Sequence, residues 1–234
     1  MKQVKSFYDA IKFFSVLLAL LLLSSCTRGA PRMLPGMLSA ELNPEQKEAV
    51  RQNCSGVFVA GDWQLVHSIT FNMDLGRGTT VLGVTVLSGA TVKTGLMTVE
   101  GFVLFEAELD AAGQLEVARA LPPFDNRNFA QGLMRDVKTL FLEPVAVPVV
   151  AALGREGMGC RYDVAAEGTV DLIPIPGGSF VMHVYDREFT ETLSIELKSF
   201  VTQDSGMFPE KIYLRAPGIR GYTLKMTLIS AEKI

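Results

Sequence analysis

The chain's 234 residues carry 22 lysines and arginines against 25 aspartates and glutamates, a net charge of −3 with its two histidines neutral. That balance excludes a protein built to neutralise nucleic-acid phosphates, which needs a basic face, and it disfavours electrostatic docking on anionic lipid. The length suits one domain with a sizeable core.

Residues 1–25 read as a targeting segment. Lys2, Lys5 and Lys12 lead into the apolar run 13–23. A helix of that length falls short of the roughly 30 Å hydrocarbon core of a bilayer, so a secretory signal fits better than a membrane span. Leu23-Ser24-Ser25-Cys26 follows directly and resembles a bacterial lipobox. In such a signal Cys26 would receive a diacylglyceryl thioether and become the first mature residue. Several acyl chains on one residue would hold a soluble body stably at a membrane. Thr27 differs from the Asp that marks inner-membrane retention in lipoproteins of this type. The expected location is therefore the periplasmic face of the outer membrane. Removing 1–25 leaves 19 basic and 24 acidic residues, a net of −5. No later apolar run is long enough to span a membrane.

With Cys26 committed to lipid, Cys54 and Cys160 remain. An even remainder in an oxidising compartment suggests a disulfide, with two separate buried thiols as the alternative.

Residues 26–43, with Pro31, Pro35 and Gly36, read as a linker from the anchor to a domain over 44–234. Asn43-Pro44-Glu45-Gln46 is a helix start: an N-cap, Pro at the first helical position and Gln three residues after the cap. The period then becomes two. Over 63–73 the apolar face is Trp63, Leu65, His67, Ile69, Phe71 and Met73. Strands over 79–87, 91–100, 101–109 and 114–120 follow, joined by tight turns, which predicts an antiparallel meander. On the strand over 79–87 Leu82, Val84 and Val86 are taken as the inner face. Asp125 is the expected N-cap of an amphipathic helix carrying Phe129, Leu133, Val137, Leu140 and Phe141 at helical spacing. Pro144 stops it, and a short second helix is expected over 148–153. Six strands then complete the chain, over 160–165, 169–175, 179–186, 190–202, 211–216 and 222–230. Alternation is clearest in Leu193, Ile195 and Leu197 and in Tyr222, Leu224 and Met226.

The fold class is mainly β with helices (α+β). An antiparallel sheet of about eleven strands curls rather than lying flat, giving an unclosed half-barrel with the 129–141 helix as a lid. The enclosed space would be lined by Trp63, Leu65, Ile69, Phe71, Leu82, Val84, Leu193, Ile195, Leu224 and Met226. Such a space suits acyl chains, since each methylene removed from water contributes about 0.8 kcal/mol. A simply packed sheet is the alternative.

Chemistry has little support in these residues. His67 and His183 both fall inside strands, and Ser179 lies near His183 only in sequence. No HExxH, CxxC, Walker loop or GxSxG elbow occurs. The expectation is a non-enzyme without cofactor or metal.

The acylated cysteine, short first helix, five-strand meander, amphipathic helix and six further strands resemble the LolA/LolB type of periplasmic lipoprotein carriers and outer-membrane lipoprotein receptors. Residues 207–214 and 222–229 are similar to that family's final hairpin. The resemblance implies an eleven-stranded unclosed barrel under helices that holds lipoprotein acyl chains, with a periplasmic carrier as a possible partner. The receptor also resembles a device with a projecting apolar loop. Ser88-Gly89-Ala90 offers no such projection, and Leu75 in the turn 74–78 is the nearest substitute. The competing function is an assembly lipoprotein that binds a protein partner without a ligand cavity.

Overall fold

The computed structural model describes residues 34–38, 42–73, 78–122, 124–153, 157–164, 167–204, 206–217 and 221–234. The signal segment, Cys26, Thr27 and Leu75 lie outside the described residues.

Helix α1 (Pro44–Ser55) begins at a capping box. Asn43 Oδ1 accepts the Gln46 amide at 2.8 Å, and Gln46 Oε1 accepts the Asn43 amide at 3.1 Å. The meander follows as β2 (Trp63–Met73), β3 (Thr79–Ser88), β4 (Thr91–Met97), β5 (Val103–Leu109) and β6 (Leu115–Ala120). Helix α2 (Arg127–Phe141) comes next. Its N-cap is Asn126 rather than Asp125, because one residue further on the side-chain oxygen reaches two orphan amides, Asn128 N at 2.9 Å and Phe129 N at 3.3 Å.

The second half contains β7 (Val149–Leu153), β8 (Met158–Val164), β9 (Gly168–Ile175), β10 (Ser179–Tyr185), β11 (Glu191–Gln203), β12 (Gly206–Ala216) and β13 (Tyr222–Lys233). The helix expected over 148–153 is therefore a strand. Val149 and Val150 are β-branched, and the segment pairs along β8 from Val149↔Arg161 to Ala152↔Met158. A two-residue strand, β1 (Met37–Leu38), pairs with β7 in turn. The described residues thus form a sheet of thirteen strands, two of them (β1 and β7) beyond the eleven or so expected, in the order β1-β7-β8-β9-β10-β11-β12-β13-β2-β3-β4-β5-β6. The two end strands, β1 and β6, are not paired with each other, so the half-barrel stays open.

Register divides the sheet into two ends. Met73 pairs with Tyr222, and the β4–β5, β8–β9, β10–β11 and β12–β13 turns lie toward the same end, the rim. The β3–β4 and β11–β12 turns lie at the other end, the base.

Bulky side chains pack together at the base. Cys54 on α1 and Cys160 on β8 are joined by a disulfide, 106 residues apart in sequence. The Trp63 ring meets Phe208 edge-on at 4.7 Å, and its Nε1 donates to the Ala60 carbonyl at 3.0 Å. Phe58 packs edge-on against Tyr162 at 5.9 Å.

The outer face of β8 and β9 carries a buried ion pair. Arg161 Nε and Nη2 donate to the two Asp171 oxygens at 2.6 and 2.7 Å. Nη2 also donates to the Pro35 carbonyl at 2.9 Å, and the Leu34 amide donates to the Phe189 carbonyl at 2.9 Å. Residues 34–38, expected as linker, are thus built onto the body of the sheet.

Candidate ligand cavity

Side chains fill the base of the half-barrel but not its rim. A cavity of about 690 Å³ lies between the rim strands and α2. It is large enough for a drug-sized or acyl ligand. Helix α2 roofs it because one helix face serves two purposes. Ala130, Met134, Leu140 and Phe141 are buried against the core. Phe129 and Leu133 are half-buried and line the cavity. Val137, Leu140 and Phe141 close a 40 Å³ recess beside it. Gly132 also lines the cavity, and a Cβ there would have no atom within 4 Å.

Of the expected wall residues, Ile69, Phe71, Leu193 and Leu224 line this cavity, and Met226 lines the small recess. Trp63, Leu65 and Ile195 do not. They lie deeper toward the base and are 4%, 1% and 0% exposed, so they are packed core. Leu82 and Val84 are corrected as well. Ile69 pairs with Val81 and His67 with Gly83, so Val81, Gly83, Thr85 and Leu87 face inward. Strand β3 is apolar on both faces, so its own alternation cannot choose; pairing with β2 decides. A side chain at the inward-facing Gly83 would meet Ile69, whose Cδ1 lies 2.5 Å from where its Cβ would stand.

Leu96, Leu104 and Phe124 complete the apolar wall. Phe124 stands 5.9 Å from Phe105 and 5.7 Å from Phe129, closing one side of the rim.

Asn128, Arg135, Glu167 and Asp186 also line the cavity, and one hydrogen-bonded polar pair is set into its wall. The Tyr222 hydroxyl donates to Asp136 Oδ2, and both residues line the cavity. Asp136 follows Phe129 at i+7 and Leu133 at i+3, the same helix face, so helical spacing could have placed it there. Burial pushes its carboxyl up to about 6, against the opposing pull of the Tyr222 hydroxyl and of Arg135. Burial also pushes the Tyr222 phenol upward, with the Asp136 charge adding to it, so tyrosine remains the donor. The imidazole of His67, 2% exposed, is pushed down to about 4 by burial and stands 5.6 Å from Phe141.

These two shifts act oppositely on stability. Between pH 4 and 6 folded Asp136 holds a proton that the unfolded carboxyl has lost, so its contribution falls as pH rises. Folded His67 has lost a proton that the unfolded imidazole keeps up to about 6.5, so its contribution rises over nearly the same window. The wild-type profile should be shallow there. Asp136→Asn should gain stability relative to wild type as pH rises through 6, by up to about 3 kcal/mol, with no gain below pH 4. Urea unfolding from pH 4 to 7.5 reads this difference, and a constant offset across the range would contradict it.

His183 lies on the other sheet face, where its Nδ1 is 2.6 Å from Glu191 Oε1. Ser179 is four residues away along β10, roughly 13 Å of strand, beyond hydrogen-bond reach. Among the described residues no group of three His, Cys, Asp or Glu side chains is placed to hold a metal.

No family model and no characterised protein sequence matches the chain. Solved structures do. A LolA superfamily protein of Nitrosomonas europaea superposes with a TM-score of 0.55 at 8% identity, covering 80% of this chain and 93% of that one. A putative outer-membrane lipoprotein-sorting domain of Vibrio parahaemolyticus (TM-score 0.42, 6% identity, 81% and 93% covered) is more distant. So is a DUF1329 family protein of Desulfovibrio piger (0.43, 9%, 81% and 92%), and neither adds weight. An open antiparallel sheet wrapped on one long helix, matched over nearly the whole of the Nitrosomonas protein, gives this chain a LolA-like fold.

Proposed function

We propose that this protein holds the acyl chains of lipids or lipoproteins in the rim cavity, as a lipid-anchored carrier or receptor on the periplasmic face of the outer membrane. It does so without chemistry. The observation that carries the reading is the cavity itself: about 690 Å³ with walls of Phe71, Val81, Leu104, Leu193 and Leu224 beneath an apolar helix face. Burying ten methylenes there would contribute about 8 kcal/mol before the costs of association. The anchoring part of the reading rests on Leu23-Ser24-Ser25-Cys26 and Thr27. The LolA-like fold agrees with it, and a periplasmic carrier that hands over its cargo is the partner it implies.

The test is native mass spectrometry of the mature protein carrying Cys26→Ser, which lacks its own anchor. A co-purifying lipid or acylated peptide is expected. A bare mass with no uptake of added fatty acid would overturn acyl binding and favour an assembly lipoprotein with a protein partner.

A further inference from the structure

The charges that line the cavity are gathered on one side of it. Arg135 and Asp136 come from α2, Glu167 from the position before β9, and Asp186 from the turn after β10. Among the described residues the β2–β5 wall contributes no charge. Ile69, Phe71, Val81, Leu96 and Leu104 form it, with Thr79 beside them.

Glu167 and Asp186 share one corner. Thr169 pairs with Tyr185 across β9 and β10. A Cβ on Gly168 would lie 2.0 Å from the Tyr185 carbonyl oxygen and 3.2 Å from the Asp186 carbonyl carbon. The backbones therefore touch at the rim, one residue from Glu167 and at Asp186 itself. This corner leads into a side pocket of about 80 Å³, which shares Arg135, Thr139 and Glu167 with the main cavity.

The negative charge of the corner is only partly compensated. Lys138 Nζ lies 3.5 Å from Glu167 Oε1, but both side chains are open to water, and such a pair holds weakly. Asp186 Oδ1 accepts the Thr190 amide at 2.8 Å, and among the described residues no cation is paired with it. Arg135 acts on Asp136 instead. The lining thus sets three carboxylates against one guanidinium, beside an apolar wall. A hydrocarbon chain ending in an ammonium group complements both parts, because its N–H bonds to carboxylates are charge-assisted. A carboxylate or phosphate head would meet like charge at the same corner.

We infer that the cavity takes an amphiphile whose head carries an ammonium group, seated at the Glu167–Asp186 corner with its chain along the β2–β5 wall. The inference rests on acyl binding in this cavity and narrows it to one class of head.

The test uses the mature protein carrying Cys26→Ser, at about pH 7.5 and low salt, with the neutral dye Nile red as the displaced probe. Dodecylamine, dodecanol and laurate share one chain length and compete below their micellar concentrations. Dodecylamine should displace the dye at a concentration at least about tenfold lower than laurate, with dodecanol between them. Asp186→Asn keeps an oxygen for the Thr190 amide, and Glu167→Gln gives up only an exposed ion pair, so the double variant should fold. In it the gap should close to within about threefold. Equal potency of the three competitors in wild type, or a gap that the double variant keeps, overturns the inference and leaves acyl binding standing. Displacement by none of them overturns acyl binding in this cavity, and the inference with it. Lauroyl-lysine amide and lauroyl lysophosphatidylethanolamine then locate the ammonium. Competition stronger than laurate's by the first places it on an acylated peptide, and by the second on a lipid head; by neither, it overturns the inference.

Discussion

Leu224→Glu is expected to weaken binding of a fluorescent fatty acid at least about 100-fold, the equivalent of about 2.7 kcal/mol. Leu224 lies on β13 opposite Phe71, and both side chains form cavity wall. A carboxylate there faces apolar surface and adds to the nearby Asp136, so an acyl chain would have to bury an unpaired charge. A folded variant is essential to the reading, and a second substitution secures it. Gly132→Trp fills the cavity from the roof, at a helix position where a Cβ meets nothing within 4 Å. Replacing an interior helix glycine also removes a backbone-entropy penalty of about 0.5–1 kcal/mol. Gly132→Trp should therefore block uptake while unfolding at or above the wild-type temperature. Wild-type binding in this variant would place the ligand elsewhere. Ile195→Glu is a poor test by comparison: its side chain is 0% exposed within packed core, so the charge would unfold the protein before it informed on binding.

How much of this was legible in the sequence depended on whether a strand was two-faced. Strand β2 alternates Trp63, Leu65, Ile69 and Phe71 with Gln64, Ser68, Thr70 and Asn72, and that pattern marks its inner face. Strand β3 has Leu82, Val84 and Val86 on one face and Val81 and Leu87 on the other, so only its partner's register could orient it. Depth along a strand leaves no trace in alternation either. Trp63, Leu65, Ile69 and Phe71 share one face, yet the first two are core and the last two cavity wall. What separates them is the fill at the base by Phe58, Phe208 and Phe141, which approach from distant positions in the chain. Strand β7 is not legible in the sequence because five residues after a proline carry too few positions to distinguish helical from extended spacing. Asp136 is a polar residue within an apolar stripe, and its helical position points into the same space as Phe129 and Leu133.

Removing the disulfide should affect the opposite end of the molecule. The Cys54→Ala/Cys160→Ala double variant is expected to lose about 4–5 kcal/mol, from freeing a loop of about 100 residues in the unfolded chain. Domains of this kind are stable by only about 5–15 kcal/mol in total, so the loss should be severe at 37 °C. Both cysteines are 0% exposed, and among the described residues α1 packs against the sheet mainly at β7, β8 and β9. The bond is thus the covalent part of a small helix–sheet contact. Its removal should expose the amides of α1 to hydrogen exchange ahead of those in β11–β13. The cavity wall of β2, β13 and α2 lies at the rim, away from α1. At low temperature, where the double variant is folded, acyl uptake should remain within a few-fold of wild type. Uptake lost together with α1 protection would mean that the base props the cavity open. A loss of stability below about 1 kcal/mol would mean that the apolar packing of Phe58 and Tyr162 holds the helix without the bond.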